Sequence, residues 1–284
     1  MNQTFFIEIE SNDLDEFQEF LYERENSRAT IRKYLTDIRT FYKFLGAERI
    51  ISKGKLLEYK EWLTSCYAVN SANSMIVSLN RYLDYRNASR LKLKRIRVQR
   101  QLFIKEEKEL TREEYRRLIQ AAHENNKEQL ALIIETIGAT GIRISELAGF
   151  TVEQIRRGRI EIYNKGKNRV ILVPEKLRRK LLKFAEKQGI KRGHLFITRN
   201  GKPKDRSNLW AEMKRLHKLA GVDSKKIFPH NLRHLFARCY YKATKDLTGL
   251  ADLLGHSSLE TTRIYTAEAG SQFQKKVERL QLVC

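Results

Sequence analysis

The chain has 284 residues, 41% hydrophobic and 32% charged, with 56 Lys plus Arg against 34 Asp plus Glu and a formal charge of +22. That apolar share supports packed cores in one large or two modest domains and excludes global disorder, while three prolines and 14 glycines exclude a collagenous or linker-dominated chain. A charge of +22 asks for a polyanionic partner, nucleic acid before an anionic membrane surface, since basic residues gain affinity by displacing counterions from phosphates.

In chain order, Leu14, Phe17, Phe20 and Leu21 recur at helical spacing and predict a first helix. Ile31, Tyr34, Leu35, Ile38, Phe41, Tyr42 and Leu45 predict a second, ending near Gly46. Leu56, Leu57, Trp62 and Leu63 suggest a third; Met75, Ile76, Leu79, Tyr82 and Leu83 suggest a fourth. The aromatic residues fall on the apolar faces and read as core rather than as base-stacking groups. A helical domain over residues 1–89 follows, then a basic connector over 90–108. Its stretch Arg90–Arg100 holds six basic residues in eleven and no acidic one. Such a run is either a solvated linker or a connector lying along DNA.

Residues 109–284 form the second predicted domain. Thr111-Arg-Glu-Glu114 is a capping box for a helix through Leu118 and Ala122. The apolar run Leu130–Ile137 reads as a buried helix that stops at Gly138-Ala-Thr-Gly141, and Thr151–Gln154 is a second capping-box pattern. The period then changes: Ile160 and Ile162 alternate with polar residues, Asn164–Asn168 is turn-like, and Val170–Val173 ends at Pro174, the pattern of a hairpin. The rest reads as helical, so the expected class is mainly α with a small β-hairpin. No stretch is apolar enough for a membrane span and the acidic start is unlike a signal peptide. Cys66, Cys239 and Cys284 form no CxxC pair or disulfide framework, and a reduced, cytoplasmic protein is expected.

Four islands carry candidate chemistry. Arg143 follows a glycine-broken turn at the start of a helix, with Glu146 three residues on to hold its guanidinium. Lys165 sits in the hairpin turn, with Lys167 beside it. In Pro229-His230-Asn-Leu-Arg233-His234, proline suits the first helical turn, so His230 and Arg233 lie on one face near a helix N-terminus, which favours an anion. His234, one turn after His230, lacks the carboxylate or cysteine that would complete a metal site. In Gly255-His256-Ser257-Ser-Leu-Glu260, Ser257 and Glu260 form a capping-box pattern after His256, and Tyr265 follows two turns later. A tyrosine is a covalent nucleophile where its surroundings stabilise the developing charge.

Taken in order, these islands resemble the tyrosine recombinases (integrases) of the compact Xer-like kind. Thr140–Leu147 matches the family's T-G-x-R-x-S-E-L context, Lys165–Arg169 its K-G-x-x-R context, His230–His234 its H-x-L-R-H box and Leu254–His256 its L-G-H box. Tyr265 stands nine residues after His256, as the family pattern has it. The resemblance implies a two-domain C-clamp around double-stranded DNA, a helical core-binding domain and a catalytic domain. It implies that Tyr265 cleaves a phosphodiester through a 3′-phosphotyrosyl intermediate. Arg143, Arg233 and His256 would face the phosphate, Lys165 would be the acid, His230 the base and Glu146 the support for Arg143. No metal and no cofactor is implied. It further implies a homotetramer on two recombination sites, docked through the tail from Ala267 to Cys284, a Holliday junction, and accessory sites or proteins in some members. Dimer or cointegrate resolution is favoured over integration or inversion. Arg90, Lys92, Lys94, Arg95, Arg97, Arg100, Lys167 and Arg169 are the candidate DNA contacts. Two rival readings are a type IB topoisomerase and a non-catalytic DNA-binding protein on the same fold.

Overall fold

The computed structural model describes residues 6–10, 12–97, 108–164, 167–256 and 258–265. The chain divides into two compact units, Met1–Arg100 and Gln101–Cys284.

The first unit is a bundle of α1 (Asp13–Glu23), α2 (Arg28–Leu45), α3 (Lys53–Cys66) and α4 (Val69–Tyr85), the four helices expected. Ser27 caps α2 by accepting from the Thr30 amide at 3.2 Å, and Gly46 ends it at φ +64°. Phe17, Ile38, Phe41, Leu56, Tyr59, Ile76 and Tyr82 are buried at the centre, so the aromatic residues are core. One pairing was not anticipated. Strand β1 (Phe6–Glu8) runs antiparallel to β2 (Ile50–Ser52), with Ile7 opposite Ile51.

Residues 90–97 lie on this unit. Leu91 and Leu93 are buried in its core. Asn80 donates to the Leu93 carbonyl and accepts from its amide, both at 2.9 Å. Asn73 does the same for Ile96 at 2.9 and 2.8 Å. Lys53 donates to the carbonyls of Leu91 and Lys92 at 2.9 and 2.6 Å. Lys94, Arg95 and Arg97 are exposed, as is Arg90, while Lys92 pairs with Asp84. Arg100 lies outside the described residues.

The second unit begins with α5 (Arg112–Glu124), whose capping box forms in full: Thr111 accepts from the Glu114 amide at 3.1 Å, and Glu114 accepts from the Thr111 amide at 2.8 Å. The buried helix α6 (Glu128–Thr140) runs through Gly138 and ends at Gly141. Gly138 was expected to help stop it. Instead it admits the Tyr115 ring, which an added Cβ would meet at 2.5 Å. Gly141 is the stop, at φ +64°, where its lack of a side chain also leaves room for Phe236. Residues Ile144–Gly149 then form 3-10 turns rather than an α-helix.

Next comes α7 (Val152–Arg157), with Thr151 accepting from the Gln154 amide at 3.4 Å. The Gln154 side chain turns to Gly149 and Glu161, so only half of that box forms. Strands β3 (Arg159–Asn164) and β4 (Lys167–Leu172) make the expected hairpin. Ile160, Ile162 and Ile171 face the core, whereas Tyr163, Val170 and Leu172 face solvent. The remainder is helical: α8 (Glu175–Lys187), α9 (Arg206–Lys214), α10 (His217–Ala220), α11 (Pro229–Thr244), α12 (Leu247–Leu254) and α13 (Leu259–Thr262), then a 3-10 turn Arg263–Tyr265. The cap of α13 is Ser258, one residue later than the sequence suggests, accepting from the Glu260 amide at 3.2 Å. Ser257 and the tail from residue 266 lie outside the described residues. No helix among the described residues is long and apolar enough to cross a membrane.

Candidate active site

Four chain segments bring the candidate residues together in the second unit. The turn after α6 supplies Arg143 and Glu146. Glu146 is only 3% exposed. It accepts from the Arg143 amide at 2.7 Å and from the Arg143 guanidinium at 3.2 Å, so one carboxylate starts the 3-10 segment and aims the arginine. The Arg143 head remains 40% exposed and reaches toward the Gly255 carbonyl at 3.5 Å.

Strand β4 supplies Arg169, grouped by sequence with the DNA contacts. Its guanidinium bonds both oxygens of Glu146 at 3.1 Å and also donates to the Leu253 carbonyl. The signal for this inward position was strand parity: Arg169 shares its face with Ile171, and it pairs with Ile162 across the hairpin. Burial lowers its pKa, and the Glu146 charge opposes that. Lys165, in the turn of the same hairpin, lies outside the described residues; Lys167 starts β4.

Helix α11 supplies His230, Arg233 and His234, with Pro229 in its first turn. Arg233 is 1% exposed. It donates to the carbonyls of Gly141 and Leu254 at 2.7 Å each, and to His256 Nε2 at 3.1 Å. It therefore ties the end of α6, the end of α12 and the His256 ring to one side chain. Burial, then the nearby Arg143 and Arg169 charges, bring its pKa down to about 10, still cationic at neutral pH. Its Nε is buried with no hydrogen-bond partner among the described residues.

The α12–α13 turn supplies His256. Gly255 at φ +62° ends α12, with its own amide bonded to Asp252 and the His256 amide bonded to Ala251. This closure sends the His256 ring back over the site. Nε2 accepts from Arg233, so Nδ1 carries the proton and donates to Thr262 Oγ1 at 2.8 Å. Burial first, then the Arg233, Arg143 and Arg169 charges, lower its pKa to about 4. His230 is lowered by burial and the charges of Arg233 and Arg143; His234 falls to about 4, mainly by burial.

Tyr265 closes the cluster. It is 6% exposed and packs on Ala237, Leu250 and Leu254. The rings of His234 and His256 lie 5.3 and 6.5 Å from it, and His230 contacts His234 at 4.6 Å. His234, which the sequence placed in the H-x-L-R-H match and set aside as a metal ligand, is thus the ring between His230 and Tyr265. Burial raises the Tyr265 pKa, while the charges of Arg233, Arg238 and Arg143 pull it back toward phenolate.

These features agree with three comparisons. A profile of the phage integrase family matches residues 108–272. The chain is 28% identical over 279 residues to tyrosine recombinase XerA of Thermococcus kodakarensis, covering 95% of each. Its fold is similar to that of λ integrase in a dimer bound to a COC′ core site, with a TM-score of 0.72 at 20% identity, covering 91% of this chain and 95% of that one. It is similar also to λ integrase in a tetramer bound to a Holliday junction, with a TM-score of 0.71 at 19% identity over 93% and 78%. The chain belongs to the phage integrase family, the tyrosine recombinases.

Proposed function

We propose that this chain is a site-specific DNA recombinase whose nucleophile is Tyr265. The observation that carries the reading is the meeting of Tyr265, His256, Arg233 and Arg143 in one partly buried, cationic cluster. In the reaction, the Tyr265 oxygen attacks a phosphodiester phosphorus. A bond from tyrosine to the 3′ phosphate forms and the bond to the 5′ oxygen breaks. The phenol proton passes to His230, whose lowered pKa keeps it neutral and receptive. Lys165 gives a proton to the departing 5′ oxygen, and attack by a 5′-hydroxyl in reverse rejoins the strand. The link conserves the phosphodiester's energy, so no nucleotide cofactor is required.

Charge on the pentacoordinate phosphorus is the main cost. Arg143 and Arg233 stabilise it with donors already fixed by Glu146 and by backbone carbonyls, the preorganisation that makes such donors effective. His256 contributes a hydrogen bond once an anion draws a proton onto Nε2, since negative charge nearby favours the imidazolium. The likeness to λ integrase on DNA supports a C-clamp of the two units on a duplex, and a tetramer with a Holliday junction as the intermediate. Among biological roles we favour dimer or cointegrate resolution, with Lys94, Arg95 and Arg97 among the phosphate contacts of the first unit.

The test is covalent capture. Wild-type protein and Tyr265→Phe are mixed with nicked suicide duplexes cut from DNA flanking the gene, in EDTA, and the denatured products are resolved on a gel. An adduct formed by wild type alone and mapped to Tyr265 at a 3′ phosphate is the expected result. An adduct that persists in Tyr265→Phe removes the assignment, and binding with no adduct transfers the lead to a non-catalytic DNA-binding protein.

A further inference from the structure

A cleft of 480 Å³ opens beside the candidate active site, within the size range of small-molecule pockets. Arg143 and His230 line both the cleft and the catalytic cluster. The next walls are apolar: Ile142, Ile144, Phe228 and the indole of Trp210. Arg206 lines the cleft too, and among the described residues none of those lining it is acidic.

Trp210 is 45% exposed, yet its position is fixed. Its Nε1–H donates to the Ile227 carbonyl at 3.1 Å, and the Lys214 ammonium lies 4.5 Å from the ring centroid. A large apolar ring half in water, held by a backbone hydrogen bond and polarised by a cation, has the form of a stacking platform. The ligand such a cleft takes must be continuous with whatever Arg143 and His230 bind, apolar on its faces and joined to anionic neighbours. A phosphate alone fits the cationic edge and leaves the apolar wall in water.

We infer that the cleft lined by Trp210 and Phe228 holds the deoxynucleoside adjoining the scissile phosphate, with its base or sugar face against the indole and its next phosphate toward Arg206. The inference rests on the recombinase reading above and adds a subsite to it. Trp210 is then a positioning residue: by gripping one side of the scissile linkage it fixes the phosphorus against Arg143 and Tyr265. Stacking of a base on an aromatic side chain is commonly worth roughly ten- to a hundredfold in an equilibrium or rate.

The test is a cycle between protein and DNA. The duplex that captures Tyr265 is remade with an abasic nucleotide on one side or the other of the scissile phosphate. Adduct rates are compared for wild type, Trp210→Ala and Trp210→Phe. Wild type is expected to lose roughly ten- to a hundredfold at one of the two positions. Trp210→Ala is expected to show that loss already on intact DNA and little more on the abasic duplex, while Trp210→Phe retains most of the wild-type rate. Independent, multiplying losses overturn the proposal.

A second readout needs neither cleavage nor the alanine variant. The chain has two tryptophans, so Trp62→Phe leaves Trp210 as the sole indole. Its emission is expected to be quenched by the intact duplex and much less by the abasic one; unchanged emission in both also overturns the proposal. Failure of the recombinase reading is visible separately, as the absence of any Tyr265 adduct on intact DNA with wild type.

Discussion

At the scale of single residues, Glu146 decides whether the cluster is aimed. It is buried, and its one carboxylate bridges two guanidiniums while holding the Arg143 amide. Removing one partner from a buried ionic group is costly because the remaining charge is left uncompensated. Glu146→Gln keeps the shape and loses the charge. The variant is expected to form the Tyr265 adduct about ten- to a hundredfold more slowly, because misplacement of a catalytic group by about 1 Å costs that order in rate. Duplex affinity in a gel shift is expected to change little, since the phosphate-facing charges remain. A rate equal to wild type in a folded variant contradicts the positioning role. The Arg143–Glu146 pair was legible because its partners are three residues apart, as were His230, Arg233, His256 and Tyr265 from their spacing. Arg169 was legible as the arginine of the K-G-x-x-R match and as a candidate DNA contact, but not as a partner of Glu146. Its partner stands 23 residues away, and only the closed hairpin brings them together.

At the scale of elements, helices with strong apolar periodicity were legible and short strands were not. The four helices of the first unit follow from recurring residues such as Phe17 and Leu21, or Ile31, Leu35 and Ile38. β1 and β2 have three residues each, too few to show a period, and the pairing depends on the neighbouring helices. The basic connector was legible as charge but not as structure. Side-chain amides of Asn73 and Asn80, seven residues apart on α4, grip the backbone at Ile96 and Leu93 as a neighbouring strand would. The grip holds Lys94, Arg95 and Arg97 on a fixed backbone, so a duplex bound through these proposed contacts would cost less conformational entropy. The double variant Asn73→Ala/Asn80→Ala leaves the net charge unchanged. It is expected to weaken duplex binding about three- to tenfold at a fixed salt concentration, with amide exchange at residues 93 and 96 accelerated. Faster exchange with unchanged affinity would separate the connector from DNA binding.

At the scale of the whole molecule, charge and titration are both divided between the units. Residues 1–100 carry 18 basic and 13 acidic residues, a net of +5, so the remaining +17 belongs to residues 101–284. All six histidines also fall in the second unit, and three of them, His230, His234 and His256, have lowered pKa values in the folded site. The facing charges are Arg143, Arg169, Arg233 and Arg238, which oppose protonation, as burial does. The unfolded chain, with histidines near 6.5, binds more protons than the fold as pH drops toward 4. The sign follows: stability of the second unit is full above about pH 6.5 and falls as pH decreases through that window, while most carboxylates stay ionised down to about 4.5. The first unit has no histidine and is expected to hold its stability from pH 7 to 5. Each unit contains one tryptophan, Trp62 in the first and Trp210 in the second, so Trp210→Phe and Trp62→Phe report on the units separately. Urea midpoints followed by Trp210 emission should fall between pH 7 and 5, and those followed by Trp62 emission should stay nearly constant. A parallel fall in both places the acid sensitivity outside the histidine cluster. A constant Trp210 midpoint means that His234 and His256 titrate near their ordinary value, which removes the reason for a neutral His256 before DNA arrives.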